Sequence, residues 1–520
     1  MPYIPRCASA SSKPQPLPPK PLPSILALDQ GTTSSRALVV HQDGTVLASG
    51  QRPFRQHYPE PGWVEHDPEE LIESTLSAAR DALAAAGERP DGIGITNQRE
   101  TVVLWDRRTL KAVAPAIVWQ DRRTTERCLE LRTAGTEAEV RARTGLVLDP
   151  YFSATKLEWL LRDSDLRLRA DRGELACGTV DSWLIARLTG GRAHVTDPTN
   201  ASRTLLYSLA TAAWDRDLAT LFGIPDGLLP GVVPSSGVCG EADADLLGFP
   251  FPIAGIAGDQ QAALFGQGCA SAGMAKNTYG TGAFLLLYTG DRPPAPPDGV
   301  LATAACDPRG GRGFALEGSL FIAGAVIQWL RDGLGVLERA EDSAALAASV
   351  ADTGGVHIVP AFVGLGSPHW EPGARGTITG ITRGTTRAHL VRAALESIAF
   401  GTRDLIEAML GAAGLELPRL RVDGGATAND WLMQRQADLL GVPVERPDVV
   451  ETTALGAAAL AGLALGVWGS LEDFVATRRH TVFEPRSSAA EREELLRGWR
   501  RAVETALYWA RGQGAGSREQ

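Results

Sequence analysis

The feature that most constrains this chain is that it opens twice in the same way. Ile25 to Leu28 is a short apolar run, Asp29-Gln30-Gly31-Thr32-Thr33-Ser34-Ser35 is a polar turn containing glycine, and Arg36 to His41 returns as a second strand. Asp43-Gly44 then supplies a tight hairpin into Thr45 to Ala48. Far downstream the pattern recurs as Gly273 to Asn277, Tyr279-Gly280-Thr281-Gly282, and Phe284 to Tyr288. Each opening reads as an antiparallel meander, not a strand-helix crossover. Helical and strand patterns follow: Pro68 to Ala86 carries apolar residues at 71, 72, 76, 79 and 83, and Gly92 to Thr96 is an apolar strand. We therefore expect an α/β protein built by duplication, its two halves meeting near residues 255 to 272.

Length agrees with this. At roughly 100 to 200 residues per domain, the chain should hold two to four domains, and 44% apolar residues provide conventional cores. A net charge of -10 leaves no basic field for a phosphate backbone, so nucleic acid is not an expected partner. Of 51 basic residues only five are lysines, at 13, 20, 111, 156 and 276, so an essential lysine would have few candidates. The six cysteines show no zinc-like spacing and read as reduced, mostly buried thiols of a cytoplasmic protein; no two histidines stand four apart. The longest uncharged stretch, Thr452 to Leu471, is long enough to cross a bilayer. Ten of its twenty residues are Ala or Gly, however, which suits close packing inside a protein, and no membrane span is expected. Residues 1–23, rich in Pro and Ser, read as a disordered extension in preference to a transit sequence, and residues 511–520 as a disordered tail.

No Gly-Lys dipeptide occurs, which excludes a Walker A loop, and His-Arg-Asp is absent too. A nucleotide would have to be held differently. In the turn from Asp29 to Ser35, small residues let backbone N–H groups converge on an anion. The hydroxyls of Thr32, Thr33 and Ser34 can donate, Arg36 adds charge, and Asp29 could hold a hydrated Mg²⁺. Alone, this turn reads more readily as a plain hairpin; its echo at Gly280-Thr281-Gly282 suggests a clamp. A third element, Leu420 to Val422 running into Asp423-Gly424-Gly425-Ala426 and a helix from about Asn429, suits an adenosine or is a simple αL turn. A fourth, Ala254 to Gln261, ends in Gly258-Asp259-Gln260-Gln261. There Asp259 is either a helix-capping carboxylate or a group at a strand end, where open α/β sheets place chemistry.

Strand-turn-strand phosphate loops in duplicate with a glycine-pair loop describe the actin-like ATPase superfamily, and within it this sequence resembles the FGGY carbohydrate kinases. The strings that carry the resemblance are Ala27-Leu28-Asp29-Gln30-Gly31-Thr32-Thr33-Ser34-Ser35-Arg36, Pro61-Gly62-Trp63-Val64-Glu65-His66-Asp67-Pro68, Gly94-Ile95-Thr96-Asn97-Gln98-Arg99-Glu100-Thr101, Gly258-Asp259-Gln260-Gln261-Ala262-Ala263-Leu264-Phe265-Gly266-Gln267 and Asn277-Thr278-Tyr279-Gly280-Thr281-Gly282. Tyr151 to Leu160 and Gly376 to Ile381 resemble the family more generally and are expected to be mainly structural.

The resemblance implies two duplicated ribonuclease H-like domains, residues 24–266 with the substrate site and phosphate loop and residues 267–510 with the adenosine site, around an interdomain cleft. It implies ATP-dependent phosphorylation of glycerol, with Asp259 as general base. Arg99, Glu100, Tyr151, Asp259 and Gln260 would hold the hydroxyls, with Trp119 and Phe284 as an apolar wall. Thr32, Thr33, Ser34, Arg36 and Thr281 would hold phosphates, Gly324, Gln328, Gly425 and Asn429 the rest of the nucleotide, and Asp29 with Asp259 the Mg²⁺. None of this requires a lysine. A homo-oligomer, dimer or tetramer, is expected. Another small polyol or a ketose as substrate, or an actin- or chaperone-like ATPase switch, are the alternatives. The stretch Gly240 to Gly248 is acidic where some members bind a sugar bisphosphate, and no histidine lies between His194 and His357, so regulation through either feature is not expected.

Overall fold

The computed structural model describes residues 22–516. Residues 1–21 of the expected extension and 517–520 of the expected tail lie outside the described residues. The chain enters through β1 (Ser24–Gln30), β2 (Ser34–His41) and β3 (Val46–Pro53), the antiparallel meander read from the sequence. Helix α1 (Pro68–Ala86) follows. Asp67 caps it by accepting from the Glu69 N–H, Pro68 opens it, and Gly87 closes it at φ 67°. Then come β4 (Gly92–Asn97), β5 (Ser236–Ala242) and β6 (Phe251–Gly258), and helix α2 (Asp259–Gly266) leaves directly from the end of β6.

The second half repeats this plan. Its strands are β7 (Ala275–Tyr279), β8 (Ala283–Gly290), β9 (Leu301–Ala305), β10 (Gly313–Leu320), β11 (Leu420–Asp423), β12 (Val444–Pro447) and β13 (His480–Phe483). The first sheet runs β3-β2-β1-β4-β6-β5 and the second β10-β8-β7-β11-β12-β13, with β9 added at its edge. In both, three antiparallel strands lead into three parallel neighbours and end on an antiparallel edge. Strand directions match across the two sheets, as a duplication predicts, although the last two strands are added in opposite chain order, β6 then β5 against β12 then β13.

Ile25 to Leu28 is apolar without alternation because both faces of β1 are covered. Leu26 and Leu28 join the core under α1 with Ile93 and Ile95, while Ile25 and Ala27 face a second core with Ala454, Ala458 and Ala461. Those alanines belong to α6 (Thr452–Ala464), the uncharged stretch. No described helix is long and apolar enough to cross a membrane. Instead α6, from the second half, lies on the first sheet. A Cβ on Gly456 would stand 1.9 Å from the Ala262 carbonyl oxygen, on Gly94 2.1 Å from that of Ala457, and on Gly255 2.6 Å from the Ala461 nitrogen. Glycine is thus required on both sides of the contact. The second core gathers around α4 (Arg387–Ala413), α3 (Gly324–Asp332) and α5 (Asp430–Leu440). The last helix, α7, runs Ala489–Gly516, so the tail expected from residue 511 begins inside a helix.

Candidate active site

Strands β1, β4 and β6 are parallel neighbours, with Asp29 opposite Thr96 and Gly258 opposite Asn97. Their C-terminal ends therefore bring together Asp29, Arg99-Glu100 and Asp259, drawn from three distant parts of the chain. Arg99 is 3% exposed and Glu100 1%. The Arg99 Nε lies 3.2 Å from Asp259 Oδ1 and 3.8 Å from Glu100 Oε1, and its two terminal nitrogens grip Glu317 at 2.5 and 3.0 Å. Glu317 comes from β10 of the other half. Arg203 completes the cluster, donating from Nε to Glu100 Oε1 at 2.6 Å and from Nη2 to Glu317 Oε1 at 3.0 Å. Burial alone would raise the Glu317 carboxyl, but Arg203 and Arg99 outweigh it and hold it at about 2.

Glu100 is held in the left-handed region, at φ 60°. Such a conformation in a non-glycine residue persists where its surroundings enforce it, and here its carbonyl accepts from Ser153 Oγ at 3.1 Å and Lys156 Nζ at 3.2 Å. Lys156 also donates to the Tyr151 carbonyl at 2.6 Å, and the Tyr151 ring meets Trp119 edge-on at 5.6 Å. Asp259 is the first residue of α2, not its cap. Its Oδ1 accepts from the Gln260 N–H at 2.7 Å as well as facing Arg99, while Oδ2 takes no hydrogen bond from any described residue. Gln260 Oε1 accepts from Lys276 Nζ at 2.5 Å, which leaves its NH₂ to donate elsewhere. Phe284 stands half-buried on β8, opposite Thr278 and Ser319.

Beside this cluster lie the two turns. The N–H groups of Thr32 and Thr33 donate to no described residue, and neither do those of Thr281 and Gly282. In the second turn the Gly280 carbonyl accepts from the Gly324 N–H at 2.9 Å and the Thr281 carbonyl from Ala323 at 2.8 Å, so the free amides face away from α3. Gly324 is therefore part of the turn's support. Gln328 is exposed on α3. Within the glycine pair the two residues differ. Gly424 has φ 89° and a Cβ there would meet the Tyr279 carbonyl oxygen at 2.4 Å, whereas a Cβ on Gly425 would meet nothing within 4 Å. Protein packing explains Gly424 only. Asn429 caps α5 by accepting from the Leu432 N–H at 3.0 Å and donates to Ser343 Oγ at 3.2 Å. Arg36 shares its charge with Glu451 at 3.4 Å, and Ser34 accepts from Gln51 at 2.9 Å.

Asp29 is pushed up to about 7, first by burial, then by Asp259, with Arg36 opposing and Glu451 adding to the rise. Asp29, destabilised as an anion by burial and by the charge of Asp259, and the open Oδ2 of Asp259 fit a divalent cation. No group of three acidic, histidine or cysteine side chains that could hold a metal alone occurs among the described residues. Mg²⁺ keeps several waters and takes one or two carboxylates beside substrate phosphates, which Asp29 and Asp259 could supply.

Sequence reasoning missed Glu317, Arg203, Lys156 and Lys276. All four are at most 4% exposed in their side chains or residues, and two of the five lysines thus flank the site. The available signal was a single charge inside an otherwise uncharged strand: Glu317 between Leu316 and Gly318, Lys276 between Ala275 and Asn277.

The chain matches the FGGY family of carbohydrate kinases, N-terminal domain, over residues 24–266, and the C-terminal domain of the same family over residues 275–465. A glycerol kinase of Aromatoleum aromaticum is 57% identical over 490 residues, covering 93% of this chain and 99% of its own; one of Thermus brockianus matches equally over 490 residues. Plasmodium falciparum glycerol kinase with ADP superposes at a TM-score of 0.90 with 34% identity, over 94% of this chain and 98% of its own. Xylulose kinase from Rhodospirillum rubrum does so at 0.83 with 29% identity, over 93% and 98%. The matching strand directions and the Gly-Thr turn in each half accord with these matches, and this chain belongs to the FGGY family of carbohydrate kinases.

Proposed function

We propose that this protein transfers the γ-phosphoryl group of ATP to a primary hydroxyl of glycerol, giving sn-glycerol 3-phosphate. The observation that carries the chemistry is the asymmetry of Asp259. Its Oδ1 is engaged by Gln260 and Arg99, and its Oδ2 is left open. An alcohol is a poor nucleophile near neutral pH, and Oδ2 is the atom that takes its proton as the P–O bond forms. In a loose transition state that transfer comes late, so alignment and charge neutralisation do most of the work. The choice of glycerol rests on relatives of that name at 57% identity over nearly their whole length.

In this reading Glu100 and Arg99 bind neighbouring hydroxyls, one accepting and one donating, Gln260 donates through its NH₂, and Tyr151 closes the set. Trp119 and Phe284 cover the carbon backbone. A substrate that left a buried polar atom of this set without its hydrogen bond would lose about 1–3 kcal/mol per atom. Free amides and hydroxyls of Thr32, Thr33 and Ser34, with Arg36 and Thr281, hold the phosphates; Gly324, Gln328, Gly425 and Asn429 line the remainder of the nucleotide. Mg²⁺ between Asp29 and Asp259 would neutralise phosphate charge. A cytoplasmic setting and a dimer or tetramer go with this reading.

ADP release should be stimulated by glycerol above dihydroxyacetone, xylulose and gluconate; equal or absent stimulation by glycerol rejects the assignment. Asp259→Asn should lower kcat by about 100-fold or more while leaving the ATP KM within about threefold. Retained turnover would remove Asp259 as the base.

A further inference from the structure

The first turn is gripped from behind at four successive carbonyls. Gln30 O accepts from the Gln98 N–H at 2.8 Å and Thr33 O from the Phe54 N–H at 3.3 Å. Gly31 O accepts from the side-chain amides of Gln30 at 2.6 Å and Gln98 at 3.1 Å, and Thr32 O from that of Gln56 at 2.8 Å. Gln56 spends its NH₂ on Thr32, so its Oε1 must accept, and it does so from His66 Nε2 at 2.7 Å. His66 is fully buried, and desolvation keeps its ring neutral, at about 4. Its part in the Pro61 to Pro68 string is thereby accounted for.

The front of the turn is held by a different group. Trp119 Nε1 donates to Thr32 Oγ1 at 3.0 Å. An indole N–H is a donor only, so the Thr32 oxygen accepts there and its own proton is directed elsewhere. Among the described residues that proton has no acceptor. The same Trp119 ring meets Tyr151 in the polyol site. We propose that Trp119 is a positioning residue for the phosphate turn: through its indole N–H it aims the Thr32 hydroxyl at a phosphate oxygen, so that the wall of the polyol site and the donor set of the phosphate site are one assembly. This rests on the kinase reading above and deepens it, because the aromatic wall then acts on transfer as well as on substrate binding.

A double-mutant cycle in the full-length enzyme tests it, with kcat and both KM values measured for Trp119→Phe, Thr32→Val and the pair. Phenylalanine keeps an aromatic wall but has no N–H, so the glycerol KM should stay within about threefold. The kcat should fall about tenfold, the worth of one hydrogen bond to a charged group. Thr32→Val should cost at least as much, and the pair no more than Thr32→Val alone. Thr32→Ser, which keeps the hydroxyl, should restore the penalty of Trp119→Phe. Losses that multiply in the double variant, or a Trp119→Phe defect confined to the glycerol KM, overturn the inference while leaving the kinase reading intact. No glycerol-dependent turnover by the unaltered protein removes both. Should Trp119→Phe not fold, the Thr32→Val and Thr32→Ser pair still decides: equal kcat values would show that no oriented hydroxyl matters.

Discussion

Asp29 is the penultimate residue of β1, whose preceding residues are buried, and it feels the charges of Asp259 and Glu451 with Arg36 as counter-charge. The folded protein therefore binds the Asp29 proton more tightly than the unfolded chain does. Its contribution to stability is fully present below about pH 4 and is lost as pH rises through about 7. The same proton competes with a cation. Without metal, Asp29→Asn should raise the melting temperature more at pH 8 than at pH 5. In the assay, the KM for MgATP should fall between about pH 6 and 8, and the slope should vanish in Asp29→Asn. A flat profile in the unaltered enzyme would contradict the pairing. At this scale Asp29, Arg99, Glu100 and Asp259 were legible because each sits in a long string. Arg203 and Glu317 were not, since Arg203 meets partners 103 and 114 residues away and its chain neighbours say nothing of them.

Among the elements, α6 shows how far composition can be read. Its alanines and glycines pointed to close packing, and Gly456 does stand against the backbone of α2. Which sheet it would cover was not legible, because small residues specify a short distance and not a partner. Complementary glycines at 94 and 255 on the first sheet decide that. Gly456→Ala should force α6 away from α2 at a cost of about 1–3 kcal/mol. It should lower the urea midpoint and also activity, since α2 begins at Asp259. An unchanged midpoint would mean that the helix moves freely. The helix α1, by contrast, spans Pro68 to Ala86 as its apolar spacing indicated, because that spacing and the caps Asp67 and Gly87 are local to the chain.

At the scale of the whole molecule, two sheets with the same pattern of strand directions are joined by α6 and by the buried bridge of Arg99 and Arg203 to Glu317. Opening the halves widely would expose these charges unpaired, so movement must pivot about the bridge. Glycerol with a non-hydrolysable ATP analogue and Mg²⁺ should reduce the radius of gyration in small-angle scattering. Superimposable curves with and without ligands would exclude closure.

The sequence by itself determined the duplication, the two Gly-Thr turns and the strand end that carries Asp259, because turns and apolar runs are local and strongly patterned. Only the tertiary structure decided that a helix from the second half covers the first sheet, that Glu317 anchors Arg99, and that Trp119 reaches Thr32 across 87 residues. These depend on which buried charge or donor finds which partner. That choice is made by packing between distant segments, where an unpaired buried group costs too much to be left alone.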